Sequence, residues 1–464
     1  MKKKMSGVAI LLLTASLLWV SCKKEQLGAN DREVALSAKG HGHLQQTKTF
    51  TADVVKQWLT VQTNMLYRPS GNPFGFNPSR YMAYTGVALY ESVVPGMPAY
   101  QSLHGQLTDM PEMPKTQPGY AYHWPTSAHA ALSSMTRKFF SPVTAAYNET
   151  AVNNLVNELS NQYRMEAGND VFDRSWAFGL QVADSIYKWA QQDNAMWPTG
   201  AYVLPPYYPG MWQPETGTTP AAPYWGHNRL IVPGSLNNVA SPKLPFNASP
   251  GSIYYNQMHE VYAVSQNLTH EQKLIARYFN DVNPGMPAGA HYVSTVKQVL
   301  EQFNPTLDKA ALTYVRVGIT MLDASTGSFK YKYEYLTERP IQFIRTHIVP
   351  GANPAWQSYL PTPAFPDQPS NHAIFSSSIV HVLNDMYGSN VPFTDATYNG
   401  VMVNLGNGPE NLGIRHFNNF NEMEEEISMS RLYGGIHYRY SCDEGRQQGK
   451  KTAQNIHNSI RFLK

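Results

Sequence analysis

The sequence predicts an all-α protein: antiparallel helical bundles interrupted by one long proline- and tyrosine-rich excursion. Three observations lead there. Apolar residues recur at helical spacing on both sides of the excursion. Eleven of the 33 prolines fall within residues 198–250, and a stretch of that length without periodicity is unusual inside a domain. No β-rich run emerges, so no sheet is expected.

The bulk numbers narrow the function classes. A chain of 464 residues can form two compact units or one large helical domain. It carries 36 Lys and Arg against 33 Asp and Glu, and Lys2, Lys3 and Lys4 are three of those cations. Without an N-terminal leader the balance is 33 against 33. A neutral chain lacks the basic face that nucleic-acid binding needs. The 29 Tyr and 9 Trp point to tyrosine-rich surface or wet clefts.

Residues 1–21 read as a signal peptide. Lys2 to Lys4 form its charged start and Val8 to Val20 its apolar run, which is short for a membrane span. Ser21-Cys22 resembles the lipobox of a bacterial lipoprotein, in which Cys22 is lipidated. A plain secretory signal with an incidental cysteine is the alternative. The lipoprotein reading implies export, with a lipid anchor in the periplasm, outer membrane or cell surface. Cys442 is then the one remaining thiol, so no internal disulfide forms. Residues 22–50 read as a flexible tether.

Residues 51–197 read as an N-terminal helical region. Ser79 is a plausible N-cap for a helix from Arg80 to Val94. Val152, Leu155, Val156 and Leu159 share one helix face, as do Trp176, Leu180, Ala183 and Tyr187. Residues 198–250 form the excursion, expected to wrap over the fold and wall a cleft. Residues 251–464 return to helices. Thr269 with Gln272 marks a capped start. Leu307 to Tyr335, His372 to Tyr387 and Glu422 to Tyr433 follow, and Ser441-x-x-Glu444 resembles a capping box for a final helix to about Phe462. There is no GxxxxGK[ST], no HExxH and no zinc-type Cys/His spacing.

Three stretches of this last region carry chemistry. Lys332 and Arg339 are two helical turns apart and can face the same way, with Pro340 ending or kinking their helix. Pro369-Ser370-Asn371-His372 sits where a loop enters a helix, whose first N–H groups are unpaired. Arg431 and His437 flank Gly434-Gly435, a break that lets both turn to one point. Arginine supplies a forked donor and histidine a nitrogen that can attack or ligate. Together they suit a multiply charged oxyanion.

Lys332-x6-Arg339-Pro340, Pro369-Ser370-Asn371-His372 and Ser430-Arg431-x3-Gly435-x-His437 resemble the three-part signature of the vanadium haloperoxidase and type 2 phosphatidic acid phosphatase superfamily. The resemblance implies helical bundles of that kind and an active site in residues 251–464. It implies vanadate as cofactor, with peroxide and halide as small-molecule substrates. Lys332, Arg339 and Arg431 would neutralise the vanadate oxygens, Ser370 and the N–H groups of Asn371 and Gly435 would bind them, and His437 would ligate vanadium. His372 would be the acid–base residue. The alternative is an acid or phospholipid phosphatase without cofactor, in which His437 attacks a phosphoester and His372 protonates the leaving oxygen. A binding protein that keeps the pocket without the chemistry is the third reading. Two positions depart from the signature: Asn371 stands where glycine is usual, and Ser441 where the phosphatase pattern has an aspartate. Phe365 falls where haloperoxidases tend to place an aromatic.

Overall fold

The structure, a computed structural model, describes residues 45–67, 78–140, 148–193, 201–281, 285–286, 289–406 and 408–464. Cys22, the leader and most of the tether lie outside the described residues. Thirteen α-helices are described. Those before the excursion are α1 (Asp53–Leu66), α2 (Pro78–Val93), α3 (Trp124–Phe140), α4 (Glu149–Ala167) and α5 (Asn169–Ala190). After it come α6 (Ile253–Gln266), α7 (His270–Tyr278), α8 (His291–Phe303), α9 (Leu307–Tyr335), α10 (Pro340–Phe343), α11 (Asn371–Tyr387), α12 (Phe420–Tyr433) and α13 (Arg439–Ser459). None of the described helices is long and apolar enough to cross a membrane.

The axis of the molecule is α9, 29 residues long. It lies against α2, which is buried at every position from Tyr81 to Val93. A helix covered on all sides belongs to an interior. The two backbones come very close: a Cβ on Gly86 would sit 2.8 Å from Val315 Cα, so any side chain there forces the helices apart. One hydrophobic core joins Trp58, Tyr84 and Trp189 from before the excursion with Ile319, Ile379 and Ile427 after it. The helical regions on either side of the excursion therefore form one packed body. Each buried Leu, Ile, Val or Phe contributes about 1.5–3 kcal/mol.

The excursion runs along the outer side of α9. Trp225 Nε1 donates to Ser325 Oγ at 2.8 Å, and Tyr333 Oη donates to the Ala221 carbonyl at 2.6 Å. The buried Asp323 carboxylate accepts from the N–H groups of Ile231 and Val232 at 2.7 and 2.9 Å. Burial pushes that carboxyl up to about 7. Polar side chains of α9 thus satisfy a segment whose described residues form only one short 3-10 turn, Trp225–His227.

Four sequence expectations change. Helix α2 starts at Pro78, so Ser79 lies inside it and is not its cap. Helix α13 starts at Arg439 with Tyr438 as N-cap, so Ser441 lies in its first turn. Lys332 and Arg339 do not share a helix: Leu336 turns left-handed at φ 48° and ends α9, and Arg339 is the N-cap of α10. Finally, two antiparallel ribbons occur within residues 393–417. Strand β1 (Phe393–Asp395) pairs with β4 (Arg415–Phe417), and β2 (Met402–Asn404) with β3 (Pro409–Asn411). Three-residue strands hold too little alternation to be read from sequence. The Thr269–Gln272 capping box does form.

Candidate active site

Four chain segments meet around His437. The last turn of α9 brings Lys332, and the α9–α10 turn brings Arg339. The loop before α11 brings Phe365, Asp367 and Ser370, the N-cap of α11. Helix α12 brings Arg431 in its final turn. Gly435, at φ 73°, then reverses the chain, and its N–H, expected on the oxyanion, donates instead to the Leu432 carbonyl at 2.9 Å. A Cβ there would also press on Ser358 Cα at 3.2 Å. His437 follows just before α13.

Both ring nitrogens of His437 are engaged. Nδ1 lies 3.1 Å from Asp367 Oδ1 and 3.3 Å from Ser441 Oγ. Nε2 accepts from Arg339 Nη1 at 3.0 Å. Burial, followed by Arg339, Lys332 and Arg431, holds the ring well below the usual histidine range. It is therefore neutral at pH 7, with Nδ1–H donating to Asp367 and the Nε2 lone pair facing the cations. A carboxylate behind a histidine fixes its tautomer and strengthens the other nitrogen as ligand or nucleophile. Burial pushes Asp367 up to about 7, against the pull of Arg339 and Lys332.

The cations are deeply buried. Arg339 and Arg431 are 0 % and 2 % exposed, and burial lowers each to about 10, still protonated at neutral pH. Arg339 Nε donates to the Phe365 carbonyl at 2.8 Å, and Nη1 to the Ile436 carbonyl at 2.6 Å. Arg431 Nη1 donates to the Phe279 carbonyl. Lys332 Nζ donates to the carbonyls of Pro366 and Asp367 at 3.0 and 2.7 Å, and to that of Pro369 at 2.5 Å. Its three donors are thus used on the loop, and burial, followed by the charge of Arg339, holds its ammonium well below the usual lysine range. The Phe365 ring lies 5.0 Å from Lys332 Nζ and 4.9 Å from Arg339 Cζ.

An oxyanion fits what remains. Arg339 Nη2, Arg431 Nε and Ser370 Oγ are buried and make no hydrogen bond. Leaving such donors unpaired costs about 1–3 kcal/mol each, a cost that an anion removes. The start of α11 adds the N–H of Asn371. Asn371 needs no left-handed backbone, and its side chain accepts from Ser328 Oγ, turned toward α9. Its bulk is thereby kept on the helix side.

The acid–base candidate stands on a second layer that sequence reasoning missed. His372 Nε2 lies 3.1 Å from Asp281 Oδ2. Asp281 Oδ1 accepts from Tyr398 Oη at 2.8 Å and from His291 Nδ1 at 2.9 Å. His291 Nε2 in turn reaches Asp395 Oδ2 at 2.7 Å. His372 is held to about 4 by burial and then by Arg431. It is neutral at pH 7, donates from Nε2 to Asp281, and keeps Nδ1 as its basic nitrogen. Burial alone would lower His291, but Asp395 and Asp281 outweigh it and raise it to about 10. The cluster is an imidazolium between two carboxylates, one of which positions His372.

Asp367 stands three residues before Ser370 and could have been found as an acid beside the motif. Asp281 and His291 are ten apart in sequence, and Asp395 is on β1; their spacing carries no signal. Asp443, at the start of α13, sits near Arg439 and Arg446 rather than His437. Cys442 is buried beside Ser370, and burial pushes its thiol up to about 12. That makes it a packing residue.

Known proteins match this fold. The family model described as the VCPO second helical-bundle domain matches residues 312–463. No curated protein matches the chain. A crystal structure of a bacterial vanadium-dependent iodoperoxidase superposes with a TM-score of 0.74 at 28% identity, covering 89% of this chain and 97% of that one. The holo-type structure of a bacterial vanadium-dependent chloroperoxidase gives 0.60 at 14% identity, over 82% and 92%. Its apo-type counterpart gives 0.61 at 13%, over 82% and 93%. The chloroperoxidase likenesses speak for the fold alone. The family model and the helical fold agree: residues 312–463 match the VCPO second helical-bundle domain, and the chain has the fold of the bacterial vanadium haloperoxidases.

Proposed function

We propose that this protein is a vanadium-dependent haloperoxidase, in which hydrogen peroxide, halide and a proton give hypohalous acid and water. The observation that carries the reading is the set of unpaired buried donors, Arg339 Nη2, Arg431 Nε and Ser370 Oγ, around a neutral His437 backed by Asp367. The iodoperoxidase likeness over nearly the whole of that relative supports it and makes iodide the first halide to test. Bound vanadate supplies Lewis-acid activation of peroxide without a redox change of its own.

The chain's residues do the rest. Arg339, Arg431, Ser370 and the N–H of Asn371 would hold the oxygens, and His437 Nε2 would ligate the metal in place of its contact with Arg339 Nη1. Gly435 gives the chain the reversal that aims His437. Lys332 locks the 366–369 loop, and a bound anion would favour its charged form. His372 Nδ1 takes a proton from incoming peroxide and returns one to the leaving oxygen, while Asp281 holds its tautomer. Phe365 covers the two α9-side cations and keeps water from them.

A phosphatase is the second reading, and Asp367 favours it. The sequence alone lacked a carboxylate to activate His437 as a nucleophile; the structure supplies one at 3.1 Å. The Lys2–Cys22 leader supports an exported, lipid-anchored protein under either reading. Vanadate-dependent iodide oxidation, lost in His437→Ala, tests the first reading. Phosphomonoester hydrolysis blocked by vanadate would replace it with the second.

A further inference from the structure

A second cavity, of about 620 Å³, lies between the excursion and α9. It shares no lining residue with the oxyanion site. Tyr202, Tyr224 and Leu230 wall it from the excursion, and Phe329 and Tyr333 from α9. The tyrosines form a box of edges and faces: Tyr202 stands 4.9 Å from Tyr333 at 70°, and 6.0 Å from Tyr224 at 72°. Flat rings dock well against such walls.

Its polar lining is incomplete. Asn228 is 8 % exposed, and both its amide nitrogen and its amide oxygen lack a hydrogen-bond partner. Thr326, 1 % exposed, leaves its Oγ1 unpaired on the α9 side. Buried polar groups are normally satisfied, and these need a group that both donates and accepts. At the mouth Lys330 and Glu334, one helical turn apart, balance each other in charge. The lining thus asks for a neutral ligand with an aromatic face and a hydroxyl.

The cavity also borders the oxyanion site. Phe329, in its wall, packs edge-on against Phe365 at 5.5 Å. Phe365 in turn lies over Lys332 and Arg339. One aromatic pair separates the two spaces.

We propose that this cavity binds a phenol, with its ring against Tyr202 and Tyr333 and its hydroxyl on Asn228 and Thr326. Its role rests on the haloperoxidase reading: the phenol is the acceptor for hypohalous acid released next door. In that step a ring C–H gives way to a carbon–halogen bond. The proton leaves with the hydroxide of hypohalous acid as water, and the ring is oxidised by two electrons as the halogen is reduced.

The test measures binding of 4-methylphenol to the full chain by saturation-transfer NMR and calorimetry, with no vanadate or peroxide present. Expected is one site, about tenfold weaker in Asn228→Ala and in Thr326→Val. Tyr202→Ala, at a partly exposed position, should weaken it too and guards against a folding defect in the others. Cyclohexanol should not compete. Triiodide formation without organic acceptor should be the same in all three variants as in the parent. Absence of binding, binding that none of the variants changes, or equal competition by cyclohexanol overturns the proposal. Phenol binding in a chain that oxidises no halide supports the cavity and removes the haloperoxidase reading instead.

Discussion

Replacing His291 by leucine removes the imidazolium that links Asp281 to Asp395. Both carboxylates are buried, 2.9 and 2.7 Å from its ring nitrogens. Breaking a buried ion pair on one side costs about 3–5 kcal/mol. Asp281 keeps Tyr398 and His372, and Asp395 keeps the N–H of Thr397 at 2.9 Å. The lower end of that range is therefore expected. The pH dependence gives a sharper sign. His291 is raised from an ordinary value near 6.5 to about 10. A raised histidine adds stability that is complete below about pH 6.5 and is lost as pH rises through about 10. The parent chain should weaken across that window, and His291→Leu should lose this slope. Urea unfolding followed by circular dichroism at about pH 6.5 and about pH 10 reads both effects. A change under about 1 kcal/mol, with the parent slope retained, would refute the buried triad.

Ser370→Ala removes a buried hydroxyl that makes no internal hydrogen bond, so urea stability of the anion-free chain should hold or rise, while vanadate binding should weaken about tenfold by calorimetry. Asp367→Ala removes the acceptor behind His437 Nδ1 and should cost about 10–100-fold in vanadate affinity; an unchanged affinity would assign tautomer control to Ser441. His372→Ala should keep vanadate binding and abolish turnover with peroxide, read by comparing calorimetry with triiodide formation. Gly86→Leu should destabilise α2 on α9 by more than about 3 kcal/mol in urea unfolding, since backbone lies 2.8 Å from the new Cβ.

Much of the fold was legible because its signals are local. The α9 span of Leu307–Tyr335 follows from unbroken apolar spacing, and the Thr269 cap from two side chains three apart. The oxyanion residues were legible as a pattern, since motif spacing survives in sequence. What stayed hidden was set by tertiary contact. Leu336 enters the left-handed region and divides Lys332 from Arg339, although nothing about leucine predicts that turn. Ser441 looks like a cap in sequence, yet its hydroxyl is 3.3 Å from the His437 ring. Asp281, His291 and Asp395 come from a loop, a helix and a strand, so only folding makes them one cluster. Asp323 likewise looks like a surface acid until the excursion closes over it.

On the proposed function, the His437 pocket uses vanadate to let peroxide oxidise halide. The most direct measurement divides one vanadate-free preparation of the full chain. One half receives vanadate, peroxide and iodide, and triiodide formation is followed. The other half receives a phosphomonoester, with and without vanadate. Triiodide that forms only with vanadate, and not in His437→Ala, is the predicted result. No triiodide, together with phosphoester hydrolysis that vanadate abolishes, would contradict the account and make His437 a nucleophile.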